Sequence, residues 1–448
     1  MTRTEFVKKV AEAGGRVYIV GGWVRDYIRK VEPKDCDYTI TGINEVGFVL
    51  KFPEAQKVGR SFPVFLLEID GTKCEVAFAR KDWKSGMGYH GFKFLADSSI
   101  TIEEDLSRRD TTMNAMAFDL MGTDGWKLID PFGGQEDIKN KIIRAVNEHF
   151  CDDPTRALRA ARQAAQFGYT IHPTTNECMI KCCDELAFEP TERIFKEMEK
   201  ALNTWKPSVF FRSLPLPLLK VAFPELYALV GIPQPIQYHP EGDAFEHTMR
   251  VLDYVAKEVK RNLQTEGIEN IYGHMDQAKA CFCALMHDIG KGVTPKDILP
   301  HHYEHEKRGL DVIEAMDKRM TLPKEWKEAA RFVIKYHMMV HVTKKSGSIV
   351  KCLMSLDKAP LTPIEFSIIC EADSPAHEVP KWLYYDYPYE LIKRLKYRIT
   401  GDDAPKELKG PEIGEWLHAR RSHLFHHMYG DLVKYGKNGL CAYAPFKD

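Results

Sequence analysis

Two adjacent glycines, an arginine and a pair of aspartates occur in order near the start of the chain. The run GGWVRD contains Gly21, Gly22 and Arg25, and the run DCD contains Asp35 and Asp37. A glycine has no side chain to block a phosphate, and the turn from a strand into a helix is a natural anion site. The planar guanidinium of Arg25 can bind triphosphate oxygens through two hydrogen bonds. These residue types in this order predict the binding of a phosphorylated ligand.

The two aspartates have the spacing of metal ligands on a strand. Residues i and i+2 of a strand share one face, so Asp35 and Asp37 present two carboxylates together. Such hard oxygen ligands suit Mg²⁺, and a pair of these ions can activate a hydroxyl group and neutralise a leaving pyrophosphate. Glu75, in the run CEVAFA, is a candidate third carboxylate. A tight turn before a solvated acidic strand is the ordinary alternative, but the ordered group within a short span disfavours it.

Arginines dominate two later segments. The run RRDTTMNA contains Arg108 and Arg109, of which Arg108 also fits a surface position at a helix terminus. In the run DDPTRALRAARQ the charged residues recur at steps of three, which places them on one face of a helix. These residues are Asp153, Arg156, Arg159 and Arg162. A stripe of this kind is often a solvated, salt-bridged face; the alternative is a base reader, because an Asp acceptor beside an Arg donor matches the hydrogen-bonding edge of a base.

Histidines and aspartates recur across the C-terminal half in the runs FEHTM, MHDIGK, HHYEHE, KYHMMV and CEAD. Imidazole nitrogens with carboxylates suit a transition metal, and a metal-activated water attacking a phosphoester is the chemistry expected. The candidate ligands are His247, His287, Asp288 and Asp373. The candidates for a phosphate contact, a second metal or support of the site are Lys291, His302, His305 and His337. Most of the 17 histidines in the chain need no special role.

The elements that position these residues change in kind along the chain. VYIVGG, DYTITG, VFLLEID, CEVAFA and WKLIDP have the β-branched and aromatic composition of strands, and WVRDYIRK predicts a helix. Helical spacing replaces these signals from Asp137 onward. The Pro-rich stretch Gly231 to Pro240 is typical of a linker. The pattern predicts an α/β or α+β head followed by helical regions. Of these alternatives we expect an α+β head with a small mixed sheet and all-α regions behind it.

We expect four regions on this basis. They are a head over 1–140 that carries the glycine and aspartate motifs, a helical region over 141–230 that carries the arginine stripe, a metal-binding helical domain over 241–400, and a helical tail over 401–448.

Composition narrows the class of protein. The 448 residues carry a formal net charge of −1, with 44% hydrophobic and 28% charged residues, which is ordinary for a globular protein. Eleven cysteines are scattered without a zinc-like pattern, which predicts reduced thiols in a cytoplasmic protein. The charged N-terminal segment predicts no signal peptide, and no apolar run is long enough to span a membrane.

The head motifs GGWVRD, DCD and RRDTTMNA resemble the nucleotidyltransferases of the polymerase-β superfamily, in particular the bacterial-type (class II) tRNA nucleotidyltransferases and their poly(A) polymerase relatives. The resemblance implies that Gly22, Arg25 and Arg109 contact the nucleotide, while Asp35 and Asp37 hold Mg²⁺. It also implies that the head over 1–140 is catalytic and that the helical region over 141–230 reads the nucleotide and binds tRNA. In that region Asp153 and Arg156 would pair with the incoming CTP or ATP, with Arg159 and Arg162 in support. ERIFKE, with Glu192 and Arg193, would brace this helix, and the glycine-rich loop from Lys84 to Phe92 would assist the change from adding C to adding A.

The ordered histidines and aspartates resemble the HD-domain phosphohydrolases. PEGDAFEHTM, HDIGKGVTP, ILPHHYEHE and LKGPEI further resemble the HD-bearing tRNA nucleotidyltransferases of gamma-proteobacteria. This implies template-independent addition of CCA to tRNA, together with 2′,3′-cyclic phosphodiesterase, 2′-nucleotidase and phosphatase activity in the HD domain. The implied HD cofactor is a divalent transition metal, with Ni²⁺ as one candidate.

Other functions remain open at this point. A poly(A) polymerase shares the head but uses ATP alone, and a partial enzyme adds only CC or only A. A nucleic-acid-binding protein with inactive sites is a third alternative, which the intact Asp35, Asp37 and HD residues disfavour. The expected partners are tRNA, CTP and ATP without a membrane, and the chain is expected to be a monomer or a homodimer.

Overall fold

The chain folds into two compact units in a computed structural model. The first unit comprises Met1–Met198 with Val209–Ala222, and the second comprises Glu199–Ser208 with the chain from Phe223 onward. The structure describes residues 1–34, 36–58, 63–86, 91–122, 125–265, 274–374, 377–384 and 387–430. The four regional boundaries expected from sequence stay predictions.

A seven-stranded mixed sheet is the scaffold of the first unit. Its strand order is β3-β4-β5-β2-β1-β8-β9, and β2 and β5 are parallel while the other neighbouring pairs are antiparallel. The strands are β1 (Arg16–Val20), β2 (Asp37–Thr41), β3 (Gln56–Val58), β4 (Val64–Ile69), β5 (Thr72–Phe78), β8 (Ala117–Asp119) and β9 (Lys127–Ile129). The predicted small mixed sheet is confirmed.

Both faces of this sheet are covered, which explains why β1 reads as a nearly continuous apolar run. Successive side chains of a strand point to opposite faces. Tyr18 and Val20 pack with Ile102 and Leu106 in one buried cluster. Elsewhere in the unit Phe48 packs its ring on other buried phenylalanines at centroid distances of 4.8–5.0 Å.

Two smaller sheets complete the first unit. β6 (Arg80–Lys84) and β7 (Phe92–Ala96) form an antiparallel hairpin, and residues 87–90 of the predicted glycine-rich loop lie outside the described residues. β10 (Ile142–Ile143) and β11 (Thr170–Ile171) pair in parallel. The hairpin carries Asp82, which contributes to the site described below.

Helices lie between the strands of the first unit, and beyond Asp137 its described residues are mainly helical, with β10 and β11 as short strands. Up to Ala222 they are α1 (Arg3–Glu12), α2 (Gly22–Ile28), α3 (Glu45–Lys51), α4 (Ile102–Ser107), α5 (Gly134–Asn140), α6 (Thr155–Phe167), α7 (Pro173–Lys181), α8 (Cys183–Leu186), α9 (Thr191–Leu202), α10 (Ser208–Arg212) and α11 (Leu216–Ala222). The arginine stripe lies on α6, whose apolar side is alanine-rich and buried. Gly168 ends α6 with a φ of 68°, a conformation that glycine adopts without strain.

The described part of the second unit is helical, as predicted, and contains no strand among those residues. Its helices are α12 (Pro224–Tyr227), α13 (Ala244–Leu263), α14 (Gln277–Met286), α15 (His305–Met320), α16 (Lys324–Val342), α17 (Ser346–Leu356), α18 (Pro363–Asp373), α19 (Tyr387–Arg398) and α20 (Pro411–Tyr429). α14 is buried on all sides, so it is the central helix of this unit. It ends at Met286, immediately before His287 and Asp288, and these two residues therefore lie in the core.

Two further findings concern the whole described chain. Each cysteine that the structure describes is a free thiol. Among the same residues, no helix combines the length and the apolar character needed to span a bilayer.

Candidate functional site

A cleft of about 440 Å³ in the first unit collects the head residues predicted from sequence. Its lining comes from four separate segments, so the fold rather than the local sequence assembles it. The lining residues are Gly21, Gly22, Arg25, Asp37, Arg108, Arg109, Asp110, Asn114, Asp153, Arg156 and Arg159. Five arginines against three aspartates make this lining suitable for a polyanion such as a triphosphate.

The glycine turn allows an arginine to approach the backbone. Gly21 has a φ of 69°, and a Cβ at this position would lie 2.9 Å from Nη1 of Arg109. A larger residue would therefore be strained and would displace that guanidinium. Arg25 donates to both carboxylate oxygens of Asp26 at 2.9 and 2.8 Å and to Oδ1 of Asn114 at 2.9 Å. Its position is thus fixed before any ligand binds.

The candidate Mg²⁺ ligands lie on neighbouring strands. Asp37 begins β2 and is directly opposite Glu75 of the parallel strand β5. Neighbouring strand residues in register place their side chains on the same face. Asp35 lies outside the described residues. The sequence suggested Glu75 only because it lies in a predicted strand. The register adds support, because it sets Glu75 opposite Asp37.

Asp110 lines the cleft and is the centre of a buried hydrogen-bond network. It accepts hydrogen bonds from Asn114 at 2.9 Å, from Arg159 at 2.8 Å and from Gln163 at 3.1 Å. Burial acts to raise the pKa of Asp110, but Arg159 and Asn114 outweigh it and hold that pKa far below its usual value. Arg159 is therefore an ion-pair partner that fixes the motif RRDTTMNA against α6.

The predicted base-reading pair is held by its own set of contacts. Asp153 accepts hydrogen bonds from Nη2 of Arg193 at 3.0 Å and from the Thr155 hydroxyl at 2.6 Å. Arg156 donates to the carbonyl oxygens of His149 at 2.9 Å and Arg108 at 2.7 Å. The contact with Arg193 agrees with the bracing expected of ERIFKE. Both side chains keep unused hydrogen-bonding positions, since an arginine has five N–H donors and a carboxylate about four lone pairs.

Two arginines lie in surroundings that the sequence did not predict. A surface position for Arg108 is wrong, because its side chain is only 21% exposed and bonds to Asp105 at 2.8 Å and to Asp82 at 3.2 Å. The carboxylate of Asp82, from the β6–β7 hairpin, could not be linked to Arg108 by local spacing. Arg162 donates to Glu197 at 2.6 Å and is not part of the cleft lining.

The second unit brings the four predicted HD ligands together. Nε2 of His247 lies 3.1 Å from Oδ1 of Asp373 and 3.3 Å from Nε2 of His287, which in turn lies 3.2 Å from Oδ2 of Asp288. All four side chains are at most 8% exposed. Ligand atoms bound at about 2.1 Å in a tetrahedral or octahedral shell lie roughly 3.0–3.4 Å from one another. The observed separations therefore fit one divalent ion.

The orientation of the imidazoles also fits a cation. Nδ1 of His247 hydrogen-bonds to Glu241 at 2.7 Å, and Nδ1 of His287 hydrogen-bonds to the Ala284 carbonyl at 2.7 Å. With the proton on Nδ1, each Nε2 presents a lone pair to the carboxylate oxygens, and such an arrangement needs a positive charge between them. Burial acts to lower the pKa of His287, but Asp288 outweighs it and raises that pKa to about 10. This set of imidazole nitrogens and carboxylates therefore requires a nearby positive charge, which a bound metal ion would supply.

Asp288 belongs to a second group of potential ligands as well. Its Oδ1 lies 3.1 Å from Nε2 of His305 and 3.5 Å from Nε2 of His337, and those two nitrogens are 3.3 Å apart. The two groups share this carboxylate, one through each oxygen. His305 and His337 thus lie together beside Asp288, and their roles as ligands or phosphate contacts stay predictions.

Lys291 and His302 differ in their relation to these groups. Nζ of Lys291 lies 2.5 Å from Oδ2 of Asp288 and donates to Gln234 at 2.7 Å. His302 instead contacts the Thr294 hydroxyl at 2.8 Å and the Pro233 carbonyl at 3.0 Å, and it is a member of neither group. Its geometry is that of a residue that supports the site from outside.

Sequence reasoning missed three residues of the HD site. Glu241 accepts hydrogen bonds from His247 at 2.7 Å and from Nδ1 of His239 at 3.1 Å, and Nε2 of His341 lies 3.4 Å from Oδ2 of Asp373. Glu241 and His239 belong to the stretch interpreted as a linker and its continuation, so this segment also forms part of the site. The signal in the sequence that could have identified Glu241 is its position as an acidic residue six residues before His247.

Family comparisons match three parts of the chain. Residues 17–144 match the family described as Poly A polymerase head domain, and residues 168–229 match the one described as probable RNA and SrmB-binding site of polymerase A. Residues 244–374 match the HD domain family. These ranges contain the cleft motifs up to RRDTTMNA and the HD ligands.

Relatives of similar length match across both units. A multifunctional CCA protein from Mannheimia succiniciproducens is 40% identical over 370 residues, which are 80% of this chain and 84% of that protein. One from Acinetobacter baumannii is 36% identical over 418 residues, which are 90% of this chain and 95% of that protein. A Thermotoga maritima CCA-adding enzyme structure with tRNA shares the fold, with a TM-score of 0.64 at 22% identity over 96% of this chain and 92% of that one. The resemblance to bacterial-type tRNA nucleotidyltransferases with an HD domain is thereby confirmed, and the chain belongs to the family of multifunctional CCA proteins.

Proposed function

We propose that the first unit adds C, C and A in turn to the 3′ end of tRNA, using CTP and ATP. The observation that carries this proposal is the arginine-lined cleft, whose lining includes Asp37 together with Asp153 and Arg156. One cleft thus combines a carboxylate for the reaction centre with polar groups that can distinguish bases. The relatives named above are multifunctional CCA proteins, and their similarity to this chain extends over most of their length.

The reaction assigned to this cleft is a nucleotidyl transfer. The 3′-hydroxyl oxygen of tRNA forms a bond to the α-phosphorus of the nucleotide, the bond to the β-phosphate oxygen breaks, and pyrophosphate leaves. Asp37, together with Asp35 and Glu75, would hold Mg²⁺, which supplies activation of the hydroxyl and charge neutralisation of the leaving group. Arg109 and Arg25 bind and orient the triphosphate.

Nucleotide choice would rest on Arg156 of α6 and on Asp153, two residues before that helix. Arg193 and Thr155 hold the Asp153 carboxylate, while two carbonyl oxygens hold Arg156. A base that pairs with these fixed groups gains hydrogen bonds, whereas a base with the wrong edge leaves them unpaired. Because their contacts hold these groups in place, they cannot move to other partners, and the free-energy cost of leaving them unpaired disfavours the wrong base. No nucleic-acid template is required for this selection.

One assay distinguishes the alternatives for the head. Purified protein is incubated with tRNA lacking CCA and with each of the four nucleotides, alone and mixed. We expect CTP to extend the tRNA by CC, and ATP to complete it only afterwards. Repeated addition from ATP alone would instead indicate a poly(A) polymerase, and arrest after CC in the full mixture would indicate a CC-adding enzyme.

For the second unit we propose hydrolysis of phosphoesters at RNA ends, as a 2′,3′-cyclic phosphodiesterase, 2′-nucleotidase and phosphatase. The observation that supports it is the buried convergence of imidazole Nε2 atoms on Asp288 and Asp373. His247, His287, Asp288 and Asp373 would hold a divalent transition metal, Ni²⁺ being one candidate, and that metal supplies a nucleophilic water at neutral pH. Lys291, His305 and His337 lie where they can contact the phosphate.

The double substitution His287→Ala with Asp288→Ala tests the HD proposal. It removes two neighbouring ligands and should abolish hydrolysis of phosphomonoesters and 2′,3′-cyclic nucleotides, while CCA addition continues. A chelator selective for transition metals should have the same effect once Mg²⁺ is resupplied. The control is His301→Ala, an exposed histidine outside both ligand groups. Full hydrolysis in the double variant would refute the proposal.

The cellular setting follows from the substrates. We infer that the protein acts in the cytoplasm on tRNA, as a monomer or a homodimer. Size measurement in solution with light scattering distinguishes the two oligomeric states.

A further inference from the structure

One face of α13 carries a row of charged and aromatic side chains that starts at a metal ligand. His247, Arg250, Tyr254 and Lys257 are spaced at i, i+3, i+7 and i+10, which places them on the same side of the helix. With a rise of about 1.5 Å per residue, Lys257 lies about 15 Å along the axis from His247. The row therefore extends well beyond the space that a single phosphate group occupies.

This row forms one wall of a cleft of about 480 Å³ in the second unit. Other lining residues are His239, Asp373, Ser374 and His377. Because His247 and Asp373 belong both to the cleft and to the candidate metal group, a ligand in the cleft has direct access to the reaction centre. A volume of this size accommodates a nucleotide.

The two cations of the row have donors available. The side chains of Arg250 and Lys257 are 64% and 55% exposed. Their nearest carboxylate oxygens, on Glu241 and Glu258, lie 3.8 and 3.9 Å away, beyond hydrogen-bond distance. Both can therefore bind phosphates from solution.

The acidic groups of the cleft have their own partners. Glu241 accepts hydrogen bonds from two histidines, and Asp253 accepts from the backbone N–H and hydroxyl of Ser208 at 2.9 and 2.6 Å. Asp373, the third carboxylate of the lining, lies 3.1 Å from His247 within the candidate metal group. The charged side chains of the row that remain exposed are therefore the cations Arg250 and Lys257.

A stacked pair of rings lies between the two cations. The rings of Tyr254 and His377 are parallel within 7° with centroids 4.6 Å apart. The Tyr254 hydroxyl donates to Glu371 at 2.9 Å, and Nδ1 of His377 lies 3.2 Å from the carbonyl oxygen of the same residue. The pair is thus fixed in place, and His377 is exposed, so a base can extend the stack.

We propose that this face binds the last nucleotides of an RNA 3′ end whose terminal phosphate reaches the HD ligands. Arg250 and Lys257 contact backbone phosphates, and the Tyr254–His377 pair supports a base. Alternating cations and aromatic rings are the usual means of binding single-stranded nucleic acid without reading its sequence. The proposal rests on the hydrolase function of the HD site and names the residues that bind its RNA substrate, since a small phosphoester would use only the metal end of the row.

A kinetic comparison tests the proposal with the full chain. The substrates are p-nitrophenyl phosphate and a short oligoribonucleotide with a 2′,3′-cyclic phosphate. We expect Arg250→Gln and Lys257→Gln each to lower kcat/KM for the oligoribonucleotide about tenfold at low salt and to reduce its salt dependence by about one unit of slope. Hydrolysis of p-nitrophenyl phosphate should be unchanged. Lys324→Gln is the control, because this exposed lysine begins α16 and is outside the cleft.

A binding measurement separates this inference from the hydrolase proposal. Fluorescence anisotropy of a 3′-phosphorylated oligoribonucleotide should show weaker binding to the Arg250 and Lys257 variants than to the wild type and Lys324→Gln. Equal binding by all four proteins, or equal kinetic losses on both substrates, would overturn the inference. Binding in the expected order without hydrolysis of either substrate would overturn the hydrolase function and uphold the RNA-binding face.

Discussion

Glu241 accepts a hydrogen bond of 2.7 Å from Nδ1 of His247, and this contact directs Nε2 of the imidazole toward Asp373. The carboxylate is 9% exposed and lies outside the candidate group of four HD ligands. A carboxylate in this position sets the tautomer and the orientation of a metal-binding histidine and raises its basicity.

Glu241→Gln is therefore expected to weaken metal binding by the HD site about 10- to 100-fold, the usual effect of losing such a partner. Isothermal titration of the metal-free full chain measures this affinity directly. Glu328→Gln, at an exposed glutamate of α16, is the matched control. Equal affinities of the two variants would show that Glu241 does not position His247.

Asp37→Ala should abolish nucleotide addition, and Asp35→Ala should do the same. Losing a ligand of a catalytic ion removes several kcal/mol of transition-state stabilisation, which corresponds to roughly a thousandfold in rate. Single-turnover extension of tRNA lacking CCA is the measurement, with hydrolysis of p-nitrophenyl phosphate as the internal control for folding. CCA synthesis at the wild-type rate in either variant would remove the assignment of this metal site.

Asp153→Ala and Arg156→Ala should impair the choice of nucleotide more than the binding of tRNA. Each lost hydrogen bond is expected to reduce discrimination by roughly 1–3 kcal/mol. The ratio of kcat/KM for CTP or ATP to that for UTP or GTP reports this quantity, while a gel-shift titration reports the affinity for tRNA. The base-reading role is wrong if both variants still exclude UTP and GTP as strongly as the wild type.

Asp110→Asn should destabilise the first unit in a pH-dependent manner. Folding lowers the pKa of Asp110, so its carboxylate stabilises the fold fully above the unfolded value of about 3.9, and the contribution is lost as the pH falls below that value. Leaving Arg159 without this partner should cost about 3 kcal/mol near neutrality.

Calorimetry can follow this effect, because CTP raises the transition temperature of the unit that binds it. That transition should occur at a lower temperature in Asp110→Asn at pH 7, and the difference from wild type should shrink toward pH 3. Asp97→Asn, at an exposed aspartate, serves as the control. A difference of equal size at both pH values would contradict the role of the charge.

Local periodicity was sufficient to predict the framework of both units. The i+3 spacing placed Arg156, Arg159 and Arg162 correctly on α6, and strand composition located β1, β2 and β5. The same spacing was wrong for Asp153, which lies two residues before α6 in extended backbone. Such a pattern arises within a single helix or strand, so residues that recur with the period of that element can be identified from the sequence.

Contacts between distant elements were beyond this reasoning. Arg108 donates a hydrogen bond to Asp82, which lies in a hairpin 26 residues earlier. Asp110 accepts a hydrogen bond from Gln163, which lies 53 residues later. Each of these side chains is ordinary for its own element. Glu241 was missed for the same reason, because a proline-rich segment gives no periodicity that would mark it as a wall of the HD site.

The spread of the HD ligands along the chain has a consequence for the folding of the second unit. His247 and Asp373 meet at 3.1 Å although 126 residues separate them, and His287 with Asp288 joins from the middle of that interval. An ion bound to all four would close two long loops of the unfolded polypeptide and thereby reduce its conformational entropy. We therefore expect the metal to act as a cross-link that stabilises the helices carrying its ligands, so that a protein deprived of it unfolds more readily in this unit.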